Sequence, residues 1–200
     1  MAKEIYEYRG VEGLVYAEVL SDTADEITFG EVKPLCGVAT LSKTTESSSE
    51  AHYYDNIPAV VVDSTGADEV TIGGSAIPFD VLADITGQYY DATTGSFVEG
   101  ERESKYFALG YKTSKTNGDD VYVWRYKGTF GIPDSEHNTK DDGTEGTGQE
   151  LTYTGINTTH KFVKTGKTAK ALNVDLGKDL ADVSKFFDQV TTIDDLKPKA

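Results

Sequence analysis

"KYFALGYKTSKTNGDDVYVWRYKGTF", residues 105–130, reads as two alternating strands around Asn117-Gly118, a dipeptide favoured in hairpin turns. On the second arm Tyr122, Trp124 and Tyr126 share one face, and Val121, Val123 and Arg125 share the other. The aromatic row is expected to be sheet core, because the opposite face runs to Arg125 with Lys127 beyond; a platform for stacking sugars or bases is the rival reading.

Segments on either side follow the same two-residue period. "EITFGEVKPLCGVATLSKTTE" (26–46) reads as a strand, a turn at Pro34 and a second strand over 36–46. There Ala39 and Leu41 face one way, while Thr40, Ser42, Thr44 and Glu46 face the other. Residues 47–58, with Tyr53 and Tyr54, read as a polar loop leading to a strand in which Val70 and Ile72 oppose Glu69 and Thr71. "IPFDVLADITG" (77–87) has Pro78 at its start, Asp80 in the first turn and Gly87 at the stop. Phe79, Leu82 and Ile85 make its apolar stripe. "ELTYTGINTTHKFVKTG" (150–166) supplies two more short strands and 169–177 another. Residues 179–190 look helical, with Leu180, Val183, Phe187 and Val190 on one side and a mobile tail beyond. A flexible arm, 1–13, precedes a first strand near 14–20, and 132–149 form a long polar loop. The expectation is a single mainly β domain over 1–200, a β-sandwich or barrel-like fold with one flanking α-helix at about 78–86.

The totals agree with a β protein that has little room for chemistry. Twelve Tyr and eight Phe suit half-buried pleated surfaces. A net charge of −15 repels phosphate, which disfavours sequence-specific DNA binding. One cysteine, Cys36, cannot make an internal disulfide and reads as a small buried residue. "MAKEIYEYRG" carries charges where a signal peptide needs an apolar core, and no apolar run reaches the ~20 residues of a membrane helix. A chain made in the cytoplasm, without membrane attachment, is expected.

His52, His137 and His160 lie in neither H-E-x-x-H nor H-x-H spacing, and read as solvated side chains. "DDGTEGTGQE" (141–150) lacks the ligand spacing and flanking helices of a calcium loop. The glycine-bearing stretches match no phosphate-binding pattern. No catalytic group, metal or cofactor is expected, and the protein reads as no enzyme. Two rivals remain on the residues alone. One is a carbohydrate- or receptor-binding module using Tyr53, Tyr54, Tyr89 and Tyr90; the other is a hydrolase with two carboxylates in a cleft.

The order of features nevertheless resembles a family. A charged arm leads to strands, a polar stretch around "YYDNIP" and a strand ending "EVTIGG". Then come the helix "IPFDVLADITG", the strand "KYFALGYKT" and the block "VYVWRYKGTFGIPDSEHNTKDDGTEGTGQELTYTGI". Over about residues 1–175 this looks like the major tail protein, or tail tube protein, of long-tailed non-contractile bacteriophages. The resemblance implies a structural virion protein that stacks in rings, usually of six, into a tube through which DNA is ejected without specific binding. Its partners would be other copies of itself and the tape-measure, tail-terminator and distal-tail proteins. Thr40, Ser42, Thr44, Glu46, Glu69 and Thr71 are then candidates to line the lumen. The arm, Tyr53, Tyr54 and Asp55, and Asp134, Glu136, His137, Asn138, Asp141, Asp142 and Glu145 of the polar loop are candidates for contacts between subunits. Six chains at −15 each would carry roughly −90 per ring, a repulsive conduit for DNA.

Overall fold

A computed structural model describes residues 5–139 and 146–199. In chain order the elements are β1 (Tyr8–Asp22), β2 (Ile27–Phe29), β3 (Lys33–Pro34), β4 (Val38–Tyr54), β5 (Ile57–Gly74) and α1 (Phe79–Thr86). There follow β6 (Tyr89–Asp91), β7 (Ser96–Val98), β8 (Phe107–Lys115), β9 (Asp120–Phe130), β10 (Asp134–Ser135), β11 (Gln149–Gly155), β12 (Ala171–Asp175), β13 (Ala181–Asp182) and β14 (Lys197–Pro198). The protein is mainly β, as expected. One antiparallel sheet runs β2-β1-β8-β9-β11-β5-β4, with β3 added on β1, β12 on β9 and β10 on β11. It curls until β4 comes against β1, to which it is not a ladder neighbour. The result is sandwich-like, with α1 on its flank.

Strand alternation produces two cores, one on each side of the sheet. Leu14, Tyr16, Val70, Ile72, Phe107, Leu109, Val123 and Phe130 pack on one side with Leu82 and Ile85 of α1. Tyr16 Oη donates to Asp84 Oδ2 at 2.8 Å and Lys33 Nζ to the same oxygen at 2.7 Å, fastening the helix to β1 and β3. Ala17, Ala108, Trp124 and Tyr126 face the other way, beneath Phe162, Leu172, Phe186 and Val190. Trp124 and Tyr126 are thus core, as expected. The opposite face of β9 is buried too, Arg125 included, because the curled sheet closes over it.

Several expectations are corrected. β1 begins at Tyr8, so residues 8–13 of the supposed arm are strand; Gly10 and Gly13, at φ 94° and 66°, sit where the pairing with β8 shifts register. Residues 47–58 are no loop but the outer part of the β4–β5 hairpin, whose strands run for 17 and 18 residues. The polar loop is stitched at its base, where Asp134 and Ser135 pair with Glu150 and Gln149. One strand, not two, occupies 150–166. Phe79 leaves the helix stripe, 57% exposed and stacked on Phe97.

In place of the expected helix over 179–190 the chain forms β13 and then turns over 184–190. Trp124 Nε1 and Thr191 Oγ1 both donate to the Phe186 carbonyl, at 2.8 and 3.1 Å, taking the acceptor a helix would use. Phe186 is thereby buried, while Leu180 of the expected stripe is exposed. The tail is tied down as well: Asp194 accepts from the Val163 and Lys164 N–H groups, and β14 pairs with β13. Farther back, Asp22 accepts from Lys127 Nζ at 2.6 Å and from the Thr159 and His160 N–H groups, clamping this covering segment to β1.

Candidate functional site

Two surfaces and one cleft stand out, and β4 contributes to all three. The first is a hydroxyl-rich face. Ladder pairing sets Thr40 opposite Gly73, Ser42 opposite Thr71 and Thr44 opposite Glu69. Antiparallel partners share a face, so these expected residues are brought together. Glu46 stands at the end of the row, beside a register shift, its side chain lying against Gly66. Sequence reasoning missed the continuation. Thr152 pairs with Thr71, and Thr154 pairs with both Glu69 and Thr129. The alternation in "ELTYTG", with Leu151 and Tyr153 in the core, carried that signal. Thr40, Ser42, Thr44, Glu46, Glu69 and Thr154 are exposed, and Thr71 and Thr152 are half-buried.

The second surface is the outer half of the β4–β5 hairpin. Every residue from Glu46 to Gly66 is exposed, so the ribbon is bare on both faces. It turns on Asp55 and Asn56, at φ 51° and 64°, the two positive angles of a type I′ turn. Tyr53, Tyr54 and Ile57 at the tip are 66%, 64% and 64% exposed. Val60, Val61 and Val62 stand in succession on the returning strand, all exposed. From Thr45 to Tyr54 the ribbon projects about 30 Å at ~3.3 Å per residue.

The loop candidates are placed less sharply. Asp134 is exposed in β10, and Glu136, His137 and Asn138 are exposed beyond it, with Thr147 Oγ1 donating to the Glu136 carbonyl. Asp141, Asp142 and Glu145 lie outside the described residues. The tyrosines of the rival binding site are split. Tyr53 and Tyr54 are at the hairpin tip, whereas Tyr89 and Tyr90 are on the small β6–β7 ribbon beside α1.

The cleft lies where β4 approaches β1, β8 and β9, and has a volume of about 670 Å3. Val11, Leu41, Val121 and Val123 give apolar walls; Lys43 and Arg125 give charge. Arg125 is 5% exposed. Its Nη1 donates to Asp68 Oδ2 at 2.9 Å and its Nη2 to Tyr111 Oη at 3.2 Å, while its Nε is buried with no acceptor among the described residues. Asp68 also accepts from Thr45 Oγ1 and Lys170 Nζ, and Lys43 Nζ stands 4.0 Å away. Burial opposes ionisation of Asp68, but the Thr45 and Lys170 hydrogen bonds and the charges of Lys170 and Lys43 outweigh it. Its carboxyl is held below the ordinary 3.8.

Among the described residues, no histidine and no cysteine lines this cleft. His52 and His137 are exposed, and His160 sets its ring edge-on to Phe162 at 5.1 Å. Burial raises the Cys36 thiol above its ordinary value, which leaves it a poor nucleophile. The described residues contain no grouping of three His, Cys, Asp or Glu suited to a metal, and no helix long and apolar enough to cross a membrane. No protein-family model matches the sequence, and a search of curated proteins finds no match.

Proposed function

We propose that the protein is a structural subunit that polymerises as stacked rings into a phage tail tube, with DNA passing through the lumen. The bare β4–β5 ribbon carries this reading. A two-stranded ribbon is marginal in water by itself. Here it projects well beyond the sheet with Tyr53, Tyr54, Ile57 and three valines uncovered. Large apolar side chains exposed together along one ribbon mark an interaction site. A protein that must touch neighbours beside and along an axis uses such an arm, and full burial of each valine contributes about 1.5 kcal/mol. The hydroxyl face fits the same reading, since DNA would slide over Thr, Ser and acids but be held by Lys or Arg through counterion release.

Negative-stain electron microscopy across a concentration series, with size exclusion alongside, tests the proposal. Rings or tubes are expected, and a chain that remains a monomer yet binds a glycan through Tyr53 and Tyr54 would replace it.

A further inference from the structure

The buried Asp68 cluster is unbalanced. Arg125, Lys43 and Lys170 bring three positive charges to one carboxylate, in a chain whose net charge is −15. Two of the three cations, Lys43 and Arg125, line the cleft, and the buried Arg125 Nε has no acceptor there. An unpaired buried donor costs about 1–3 kcal/mol, more on a charged group, and among the described residues one carboxylate faces three cations, which leaves the cleft positively charged. Its apolar walls argue against a free small anion. They suit a carboxylate carried between apolar side chains, and ~300–1,000 Å3 is the ordinary size of a ligand pocket.

The hairpin tip has that chemistry. Asp55 stands in the turn between Tyr54 and Ile57, and the exposed ribbon behind it carries Glu46, Glu50 and Asp63 with no Lys or Arg. Its own cleft is out of reach. Leu41 and Lys43 at the base of β4 line that cleft, so the tip points away from it by about 30 Å of paired strand.

We infer that the β4–β5 tip of one copy docks in the cleft of a second copy, with Asp55 meeting Lys43 and Arg125 and with Tyr54 and Ile57 against the apolar walls. This rests on the self-assembly part of the proposed function and says where the arm goes. The contact joins two different patches, so it is heterologous. Repeated from copy to copy it closes into a ring or runs on as a filament. A two-fold dimer could not use it only once.

Disulfide trapping between full-length chains tests the contact, with Cys36→Ser in every chain. One chain carries Asn56→Cys at the tip. Its partner carries either Tyr8→Cys at the exposed cleft rim or, as control, Ala92→Cys in the distant β6–β7 turn. In a glutathione buffer the 56–8 heterodimer should exceed the 56–92 one at least tenfold. Adding Lys43→Glu to the Tyr8→Cys chain should return the yield to the control level. Asp55→Lys in the tip chain should then recover it. Lys43 is partly exposed, so its reversal spares the fold where an Arg125 variant would not. Equal 56–8 and 56–92 yields, or a 56–8 yield indifferent to Lys43→Glu, would overturn the inference. The two levels separate cleanly: tubes without the cross-link remove this contact and keep the proposed function, whereas the cross-link without rings or tubes does the reverse.

Discussion

At the end of β8 the chain turns through 116–119 with Gly118 at φ 93°, and at the end of β4 it turns on Asp55 and Asn56 with both φ positive. Both are antiparallel hairpins closed by short left-handed turns. The β8–β9 hairpin is buried on both faces, with Leu109, Val123 and Tyr111 on one side and Ala108, Trp124 and Tyr126 on the other. The β4–β5 hairpin is buried only near its base, at Asp68, Val70 and Ile72, and then leaves the body. The turns differ, with one left-handed residue in the first and two in the second, but both hairpins are antiparallel, and the side chains decide what each becomes. One carries the fold. The other holds apolar side chains in water.

That contrast is broken or sharpened by substitutions on either side of it. Trp124→Ala should have the largest effect, about 3–5 kcal/mol in urea denaturation, since it empties the second core and removes one of the two hydrogen bonds to the Phe186 carbonyl. Asp68→Asn, at the joint between body and arm, should cost about 3 kcal/mol by leaving Arg125 and Lys170 without their counter-charge. It should also change the acid response. A carboxyl held below 3.8 in the folded state contributes stability that is present above 3.8 and lost as pH falls through the folded value. The wild type should weaken steadily below about pH 4, and Asp68→Asn should flatten that slope in pH-dependent urea melts. A wild-type slope that survives the substitution would assign it to other carboxylates, such as Asp22 with its hydrogen bonds from Lys127, Thr159 and His160.

On the arm, Val60→Ser, Val61→Ser and Val62→Ser together should leave chain stability within about 0.5 kcal/mol. The same triple variant should raise the concentration needed for assembly at least tenfold, read by light scattering. A large loss of stability in the unassembled chain would mean that the ribbon is already covered. The smallest effect on fold and assembly is expected from Ser42→Lys with Thr44→Lys on the hydroxyl face. Tubes should still form, but DNA should bind them in a salt-dependent way, measured by fluorescence anisotropy, where wild-type tubes leave it free.

The buried hairpin was legible because its sequence says everything locally: strict alternation, a turn dipeptide and aromatics in register. The helix was legible from Pro78 and Gly87 at its ends. The outer β4–β5 ribbon was not, since "ESSSEAHYYDNIP" has the composition of a loop and its turn is Asp-Asn rather than Asn-Gly. Only pairing with 57–66 makes it strand. The segment 179–190 misled in the opposite sense. Its helical spacing is real, but the Trp124 indole and the second core outbid local preference. The hydroxyl face was half visible, because alternation showed Thr40, Ser42 and Thr44 but could not show that Thr152 and Thr154 lie beside them. The Arg125 cluster was hidden altogether. Asp68, Arg125 and Lys170 are far apart in sequence, and only the curl of the sheet brings them together.

The role proposed for the projecting β4–β5 ribbon is that of a self-contact arm. Sedimentation velocity of the wild type beside a chain in which residues 47–64 are replaced by Asn-Gly tests it most directly. The shortened chain should keep the wild-type melting temperature and near-ultraviolet signal of Trp124 and stay a monomer, while the wild type should form rings or longer assemblies as concentration rises. Identical sedimentation of the two chains at every concentration would contradict it.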